Sequence, residues 1–341
     1  MALQTAVVIL NWNGRKFLQD FLPFVIQFNP VNTQIVVADN ASTDDSVELM
    51  QTSFPDIQLI QLKENYGFAK GYNEALKQID AEYYVLLNSD IEVTENWIEP
   101  IISYLENNPQ VAACQPKIKS WEKRNHFEYA GAGGGFIDFL GYPFCRGRIF
   151  QEIEEDQGQF DDIQEVFWAS GACLFVRAQV FHSLGGFDSD FFAHMEEIDF
   201  CWRAKNAAYK IVYNPASTVY HIGGGTLPKN NALKTYLNFR NNFCLLYKNL
   251  PSDRLFITFL YRLVLDGIAG FKFLFDGSFK NLMAVFKAHM YFYKHLPKLK
   301  KKRKQIQQRH VSKIYGKNIA FEHFIRGKKY FKELDRSKFS K

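Results

Sequence analysis

The stretch Tyr83-Tyr84-Val85-Leu86-Leu87-Asn88-Ser89-Asp90-Ile91-Glu92 decides how this chain is read. A short run of aromatic and branched apolar residues is the pattern of a buried strand. It stops abruptly at Asn88, Ser89 and Asp90, which can bind something but cannot pack a core. In an open α/β sheet, ligands sit beyond the carboxyl ends of the strands, so Asp90 is placed to project from a rigid support into a ligand crevice. A hard carboxylate there suits Mg2+ or Mn2+ bridging a diphosphate. The plainer reading is a strand that runs into an Asx turn, and this segment alone does not separate the two.

Upstream, the same strand-end theme recurs. Residues 5–10 form a β-branched run followed by Asn11-Trp12-Asn13-Gly14, and an amphipathic pattern (Phe17, Leu18, Phe21, Leu22, Val25) then predicts a helix ending near Pro30. Residues 34–38 predict a second strand that finishes on Asp39-Asn40. The run Ser42-Thr43-Asp44-Asp45-Ser46 predicts an N-cap and acidic first turn for a helix through Met50. Residues 57–62 give a third strand, and Asn65-Tyr66-Gly67-Phe68-Ala69-Lys70-Gly71-Tyr72-Asn73 opens the helix that leads back to Tyr83. Alternating strands and helices predict an α/β fold with a parallel, doubly wound sheet. Further on, Thr94 is expected to cap a helix through Asn108, and residues 110–117 to form another strand.

The chain has 341 residues, 47% hydrophobic and 23% charged, enough for one large domain or a domain with an appendage. Residues 1–5 lack a basic n-region and the apolar run 6–10 is too short for an h-region, so no signal peptide is expected. Cys114, Cys145, Cys173, Cys201 and Cys244 are scattered with no CxxC pair, which predicts neither a disulfide framework nor a thiolate zinc site and fits a reducing cytoplasm. The net charge of +5 divides unevenly: residues 231–341 hold 25 Lys and Arg against 6 Asp and Glu, while the preceding part holds 16 against 30. The expected organisation is an acidic catalytic unit over 1–230 and a basic helical region over 231–341 that meets an anionic surface.

Taken in order, Asn11-Trp12-Asn13-Gly14, Asp39-Asn40-Ala41-Ser42-Thr43-Asp44, residues 65–73 and Asn88-Ser89-Asp90 resemble the family 2 glycosyltransferases of the GT-A fold, especially their rhamnosyltransferase-like branch. The resemblance spans about residues 5–225. It implies a nucleotide-sugar donor and a DxD-type metal motif, in which Asn88 stands where the first Asp often does and Asp90 is the ligand. Asp39 can accept hydrogen bonds from a ribose hydroxyl or the base. Asn11, Asn88 and Ser89 line the donor side, and Lys70 and Asn73, at a helix start, are expected near donor phosphate or ribose. A solvated surface lysine is the alternative for Lys70.

Beyond residue 110 the motifs thin out. Residues 121–158 read as loop-rich, and the run Ala130-Gly131-Ala132-Gly133-Gly134-Gly135 is expected to be a flexible acceptor-side loop rather than a phosphate cradle, because no clear strand precedes it. Then comes His194-Met195-Glu196-Glu197-Ile198-Asp199. Three carboxylates in four positions repel one another, and such crowding marks a working site. The family places its base at the second residue of an acidic pair, which falls on Glu197; Glu196 is the alternative, with Asp199 orienting the loop or binding acceptor. In an inverting transfer, one carboxylate deprotonates the acceptor hydroxyl while the metal stabilises the leaving diphosphate. Residues 210–212 and 218–220 predict two strands, and His221, at the end of the second before Gly223-Gly224-Gly225-Thr226, resembles the family's histidine that completes the metal site with Asp90.

Residues 231–341 are helical by pattern. A helix reaching Leu250 precedes a longer apolar one over 252–275 that Arg262, Asp266 and Lys272 interrupt, so it is expected to lie in a membrane interface rather than to span. Lys298-Leu299-Lys300-Lys301-Lys302-Arg303-Lys304 is dense enough to suggest anionic lipid beyond any internal acidic patch, and no nucleic-acid module is recognisable. The sequence thus predicts an inverting, metal-dependent glycosyltransferase, peripheral on the cytoplasmic face of a membrane, acting on a glycan or lipid-linked oligosaccharide acceptor. Two rivals stand beside it: a nucleotidyltransferase, for which Asn11-Trp12-Asn13-Gly14 is a poor phosphate loop, and a non-catalytic membrane-docked binding module, which has no need of Asp90, Glu197 and His221 together.

Overall fold

The computed structural model describes residues 3–223 and 231–341; Gly224, Gly225 and Thr226 of the predicted strand-end turn, and the predicted division near residue 230, lie outside them. The first part alternates as expected: β1 (Leu3–Asn11), α1 (Arg15–Gln27), β2 (Thr33–Asp39), α2 (Ser46–Ser53), β3 (Gln58–Gln61), α3 (Gly67–Leu76) and β4 (Ala81–Asn88). β3, β2, β1 and β4 lie side by side, all parallel. Their side chains are buried on both faces, which is why the strands read as unbroken apolar runs. Val7, Ile9, Val37, Val85 and Leu87 point to the layer that holds α1, and Ala6, Val8, Val36, Ala38, Tyr84 and Leu86 to the layer that holds α3.

After Asn88 the expected parallel pattern gives way to a mixed sheet. β5 (Ile91–Val93), α4 (Glu99–Glu106) and β6 (Val111–Ser120) are followed by four short strands, β7 (Gly135–Asp138), β8 (Pro143–Cys145), β9 (Arg148–Ile149) and β10 (Glu152–Ile153), and then by β11 (Gln164–Val166), β12 (Cys173–Arg177), α5 (Ala178–Ser183), α6 (Glu196–Asn206) and β13 (Lys210–His221). The order across the large sheet is β11-β13-β6-β12-β4-β1-β2-β3, with β5 added to β13. No crossover helix separates β6 from β12, so β12 enters from the opposite end and runs antiparallel to both β4 and β6. β13 is one strand, with an irregularity between Tyr213 and Thr218 where two strands were expected.

One capping assignment is corrected and another made specific. Thr94 caps no helix; its hydroxyl donates to the Thr218 carbonyl, 2.8 Å away, and α4 starts at Glu99. The α2 N-cap falls within the expected run, on Asp45, which makes no side-chain cap bond; Asp44 Oδ1 accepts from Ser46 N at 3.1 Å instead, and the polar residues here also zip two loops together. Thr43 N donates to Asn13 Oδ1 (2.7 Å) and Arg15 N to Asp44 Oδ2 (3.0 Å).

The glycine run is neither a phosphate cradle nor a loose loop. A Cβ on Gly135 would stand 2.1 Å from the Trp168 ring, and one on Gly131, at φ +110°, would stand 2.4 Å from Ser170 Cβ. The run is a packing seam that lets residues 131–135 lie flat against 168–170.

The basic region is docked onto this core. It comprises α7 (Ala232–Asn249), α8 (Ser252–Phe275), α9 (Phe279–Lys304), β14 (Ile314–Tyr315) and α10 (Ile319–Phe324). β14 joins the small sheet by pairing in parallel with β7, and Phe243, Leu246, Phe292 and Leu299 share one apolar cluster with Val8 and Leu86. Part of the polybasic block is matched internally: Lys298 and Lys302 meet Asp190 at 2.6 and 2.7 Å, Lys302 also meets Asp188, and Arg303 donates to the carbonyls of Tyr247 and Leu250. Lys300, Lys301 and Lys304 stay exposed.

α8 has inverted polarity. Arg262 and Asp266 face inward, 3.1 Å apart and fully buried, while Phe256, Leu260, Val264, Ile268, Phe271 and Phe275 face outward. No helix among the described residues is long and apolar enough to cross a membrane.

Candidate functional site

Polar side chains gather at the carboxyl ends of β1, β2, β4 and β13. Asn11, fully buried, donates from Nδ2 to Asp39 Oδ1 at 3.1 Å and to Ser42 Oγ at 3.2 Å, while its Oδ1 has no partner. Asp39 accepts one protein hydrogen bond on each oxygen, the second from Ser42 N at 2.9 Å, which leaves a further lone pair on each. An orphaned buried acceptor beside a held carboxylate suits a ligand that brings donors, such as a sugar hydroxyl. Asn88 N donates to Ala172 O (2.9 Å), tying the end of β4 to the segment before β12. Ser89 lies beside Gly14, where a Cβ would come within 3.3 Å of its hydroxyl.

Asp90 and His221 meet, as the sequence predicts. His221 ends β13 and stands opposite Ile91 through the β5 pairing; its Nε2 lies 3.2 Å from Asp90 Oδ1, and its Nδ1 lies 3.2 Å from Glu128 Oε2. All three are buried. Burial alone would lower the His221 pKa, but the flanking carboxylates of Asp90 and Glu128 push it up to about 10. Burial likewise opposes ionisation of Asp90 and Glu128, and the imidazolium between them holds both below the ordinary carboxylate range. One carboxylate and one imidazole from neighbouring strand ends form a donor set that fits Mg2+ or Mn2+, provided the cation displaces the Nε2 proton that Asp90 holds in its absence. Among the described residues no three His, Cys, Asp or Glu side chains converge on one point, so diphosphate oxygens and water would have to supply the remaining ligands.

The acidic pair begins α6. Two consecutive left-handed residues, His194 (φ 69°) and Met195 (φ 72°), turn the chain into that helix, a conformation costly for non-glycine residues unless its surroundings hold it. Asn241 on α7 supplies the hold, donating from Nδ2 to the carbonyls of Ala193 (2.9 Å) and His194 (2.7 Å). Glu196 and Glu197 each keep one buried oxygen without a partner. Burial raises the Glu197 pKa to about 7, and burial together with the neighbouring Glu197 charge raises that of Glu196 well above the ordinary range. Glu197 is the less buried of the two and lies over Gly171, whose Cβ would stand 3.8 Å from its own. Gly171 precedes Ala172, the partner of Asn88, so one short segment touches both Glu197 and the end of β4.

Three predicted residues are placed elsewhere. Asp199 is fully enclosed by Arg203 (2.9 Å), Lys248 (2.8 Å) and Asn249 (2.8 Å), which fits the orienting role expected of it rather than contact with an acceptor; it ties α6 to α7. Asn73 exchanges hydrogen bonds with the backbone of Phe187, its Nδ2 to the carbonyl at 2.8 Å and the Phe187 N to its Oδ1 at 2.9 Å, and so fixes the turn ahead of the acidic pair rather than meeting the donor. The start of α3 is not free for phosphate, because Phe68 N donates to Phe192 O at 2.7 Å. Lys70 stands 3.8 Å from Glu64 and 3.8 Å over the Tyr66 ring, partly exposed.

Glu128 and Asn241 are the residues that sequence reasoning missed. Glu128 sits alone between Phe127 and Tyr129 with no spacing signal. Asn241 carried one: three polar residues in a row, Arg240, Asn241 and Asn242, in a helix otherwise rich in aromatics, with Asn a poor helix former that needs a reason to be there.

Residues 6–185 match the model of the Glycosyl transferase family 2; the acidic pair and His221 lie beyond that match. The chain is 25% identical over 233 residues to an N-acetylglucosaminyl-diphospho-decaprenol L-rhamnosyltransferase of Mycobacterium tuberculosis, covering 63% of this chain and 75% of that protein. It is 23% identical over 257 residues to the dTDP-rhamnosyl transferase RfbF of Shigella flexneri, covering 71% and 79%. Among solved structures, GalNAc-T7 with UDP, GalNAc and Mn2+ superposes with a TM-score of 0.57 at 16% identity, over 74% of this chain and about half, 49%, of that one. At that identity the likeness is one of fold.

Proposed function

The chain belongs to glycosyl transferase family 2 and is a glycosyltransferase, and from that premise we propose that it is a metal-dependent, inverting enzyme that moves a sugar from a nucleotide-sugar donor to a hydroxyl of a lipid-linked cell-envelope glycan precursor. Two observations support this reading: the Asp90–His221 pair, suited to a divalent cation, and a buried acidic pair with unpartnered oxygens at the start of α6. A diphosphate leaving group needs its developing charge compensated, which Mg2+ or Mn2+, if held by Asp90 and His221, would supply. An attacking hydroxyl needs its proton taken, and a carboxylate with its pKa raised to about 7 by burial is matched to that task near neutral pH. Glu197 accepts the acceptor proton, and Glu196, held more strongly neutral, sits behind it. Asn11 and Asp39 bind the nucleoside, with Asn88 and Ser89 beside the diphosphate.

The named relatives make a dTDP-deoxyhexose the first donor to try, with a diphospho-lipid sugar as acceptor. The outward apolar face of α8 and the exposed lysines of α9 support docking on the inner face of an anionic membrane, beside such an acceptor. Family membership sets aside the nucleotidyltransferase and the non-catalytic module. The test is transfer from a panel of nucleotide sugars to a polyprenyl-diphosphate sugar, with and without chelator, reading the anomeric configuration of the product by NMR. A retained configuration, or full activity in excess chelator, would contradict the proposal.

A further inference from the structure

Glu128 is a buried carboxylate with no task in the scheme above. It lies in the connection between β6 and the small sheet, far in sequence from both Asp90 and His221, yet the fold brings its Oε2 to 3.2 Å from His221 Nδ1. The carboxylate is itself held in place. Ala130 N donates to Oε2, and Glu128 N donates to the Ile118 carbonyl at 3.1 Å. On its other side the chain passes so closely that a Cβ on Gly223, at φ +71°, would stand 2.6 Å from Oε1; the glycine leaves room for that carboxylate and takes the left-handed turn. His221 is pinned from its backbone as well, because Trp121 N donates to its carbonyl at 3.0 Å and Ile222 N to the Asp90 carbonyl at 3.2 Å.

The two imidazole nitrogens therefore have separate surroundings. Nε2 faces Asp90 at the ligand crevice, and Nδ1 faces Glu128 inside the protein. A histidine that binds a metal through one nitrogen commonly donates its other N–H to a carboxylate, which fixes the tautomer and ring orientation and raises the basicity of the ligating nitrogen. We infer that Glu128 is a positioning residue of the metal centre: its carboxylate, in ion-pair contact with an Nδ1 that has no hydrogen-bond partner, keeps the proton on that nitrogen and so presents Nε2, beside Asp90, as the ligand. The inference rests on the metal reading given above. It also explains a buried acid within the glycine-rich stretch 128–135. The glycines bring the chain flat against residues 168–170, and the Ser170 hydroxyl donates to Ala130 O at 2.8 Å, so the segment that carries Glu128 is fixed to the segment that carries Gly171 and faces Glu197.

The experiment is titration of Mn2+ into the full-length protein with a nucleoside diphosphate bound, followed by calorimetry and by the loss of free-Mn2+ EPR signal. Glu128→Gln keeps shape and a hydrogen-bond acceptor but not charge, and Glu128→Ala removes both. We expect Mn2+ affinity to fall by roughly 10–100-fold in Glu128→Ala, less in Glu128→Gln, with nucleotide affinity in EDTA unchanged in both. Should Glu128→Ala fail to fold, Glu128→Gln decides alone, with its melting temperature as the control. Wild-type Mn2+ affinity in a folded Glu128→Gln and Glu128→Ala would overturn the role of Glu128 and leave the metal reading standing. No Mn2+ binding by the wild type would overturn both.

Discussion

Asn241 and His194 stand 47 positions apart, and the amide of one donates to the carbonyl of the other at 2.7 Å. That bond, with its companion to Ala193, joins the basic helical region to the strained turn from which Glu196 and Glu197 emerge. The acidic pair is thus aimed by a residue outside the stretch that matches the family. Asn241→Ala is expected to lower kcat by roughly 10-fold or more, since small displacements of a reacting group carry large rate penalties, while the nucleotide Kd stays the same. A variant with wild-type kcat would show that the turn holds itself.

Glu197→Gln is expected to reduce turnover by roughly 10²–10⁴ while donor binding survives. If Glu196→Gln is the dead variant instead, the base is one residue earlier. The pH profile gives an independent check. A base whose pKa is raised to about 7 is idle when protonated, so the wild-type rate should climb with pH up to about 7, and Glu197→Gln should lose that limb. The same shift has the opposite sign for stability. Its contribution to folding is complete below the ordinary glutamate range and is lost as pH rises through about 7.

Asp90→Ala should remove metal-dependent transfer, by roughly 10²-fold or more, without unfolding the protein, and excess chelator should do the same to the wild type. The two effects should not add. Residual transfer that responds to Mn2+ in Asp90→Ala would move the metal away from this strand end.

Lys302→Ala tests the contact between α9 and the catalytic part. Burial would raise the Asp188 pKa, but Lys248 and Lys302 together hold it well below the ordinary aspartate range. A carboxylate with a depressed folded pKa contributes stability above its unfolded value, near 4, and loses it as pH falls through the folded value. Removing Lys302 weakens the depression, so acid unfolding should begin at higher pH. Charged hydrogen bonds of this kind contribute about 1.5–3 kcal/mol, and partial exposure of Lys302 puts the loss at the low end. Thermal melts at pH 7 and pH 4 measure both effects.

Lys280, Lys287, Lys294 and Lys301 recur every seven residues along α9 and are all exposed, next to exposed Phe279, Phe286 and Tyr293. If this face and the outward side of α8 meet a bilayer, the protein should co-sediment with anionic liposomes, less so at high salt. Neutralising those four lysines should weaken binding more than Lys302→Ala does. Equal pelleting with and without anionic lipid would assign the apolar face of α8 to a protein partner.

The strand ends were legible because each is a local event: an apolar run meets Asn11, Asp39 or Asp90 within a few residues, and periodicity places it. Pairing across distance was not. Nothing near Glu128 announces His221, nothing near Lys302 announces Asp188, and the glycines at 131–135 look the same in sequence whether they flex or pack. Asn73 shows a related ambiguity, because a polar residue on the first turns of a helix beside a ligand motif can serve the ligand or a neighbouring turn, and its bonds to Phe187 are visible only in the fold. The two left-handed residues before Glu196 gave no warning either, since neither is glycine.

The ion pairs of Lys248 and Lys302 with Asp188, Asp190 and Asp199 make the basic helices a built-in counter-ion. A chain cut at residue 230 would leave three carboxylates facing one another across a stripped apolar surface. For grafting or recombination within this family, the transferable cassette is therefore the acidic sheet-bearing half together with the helices that neutralise it.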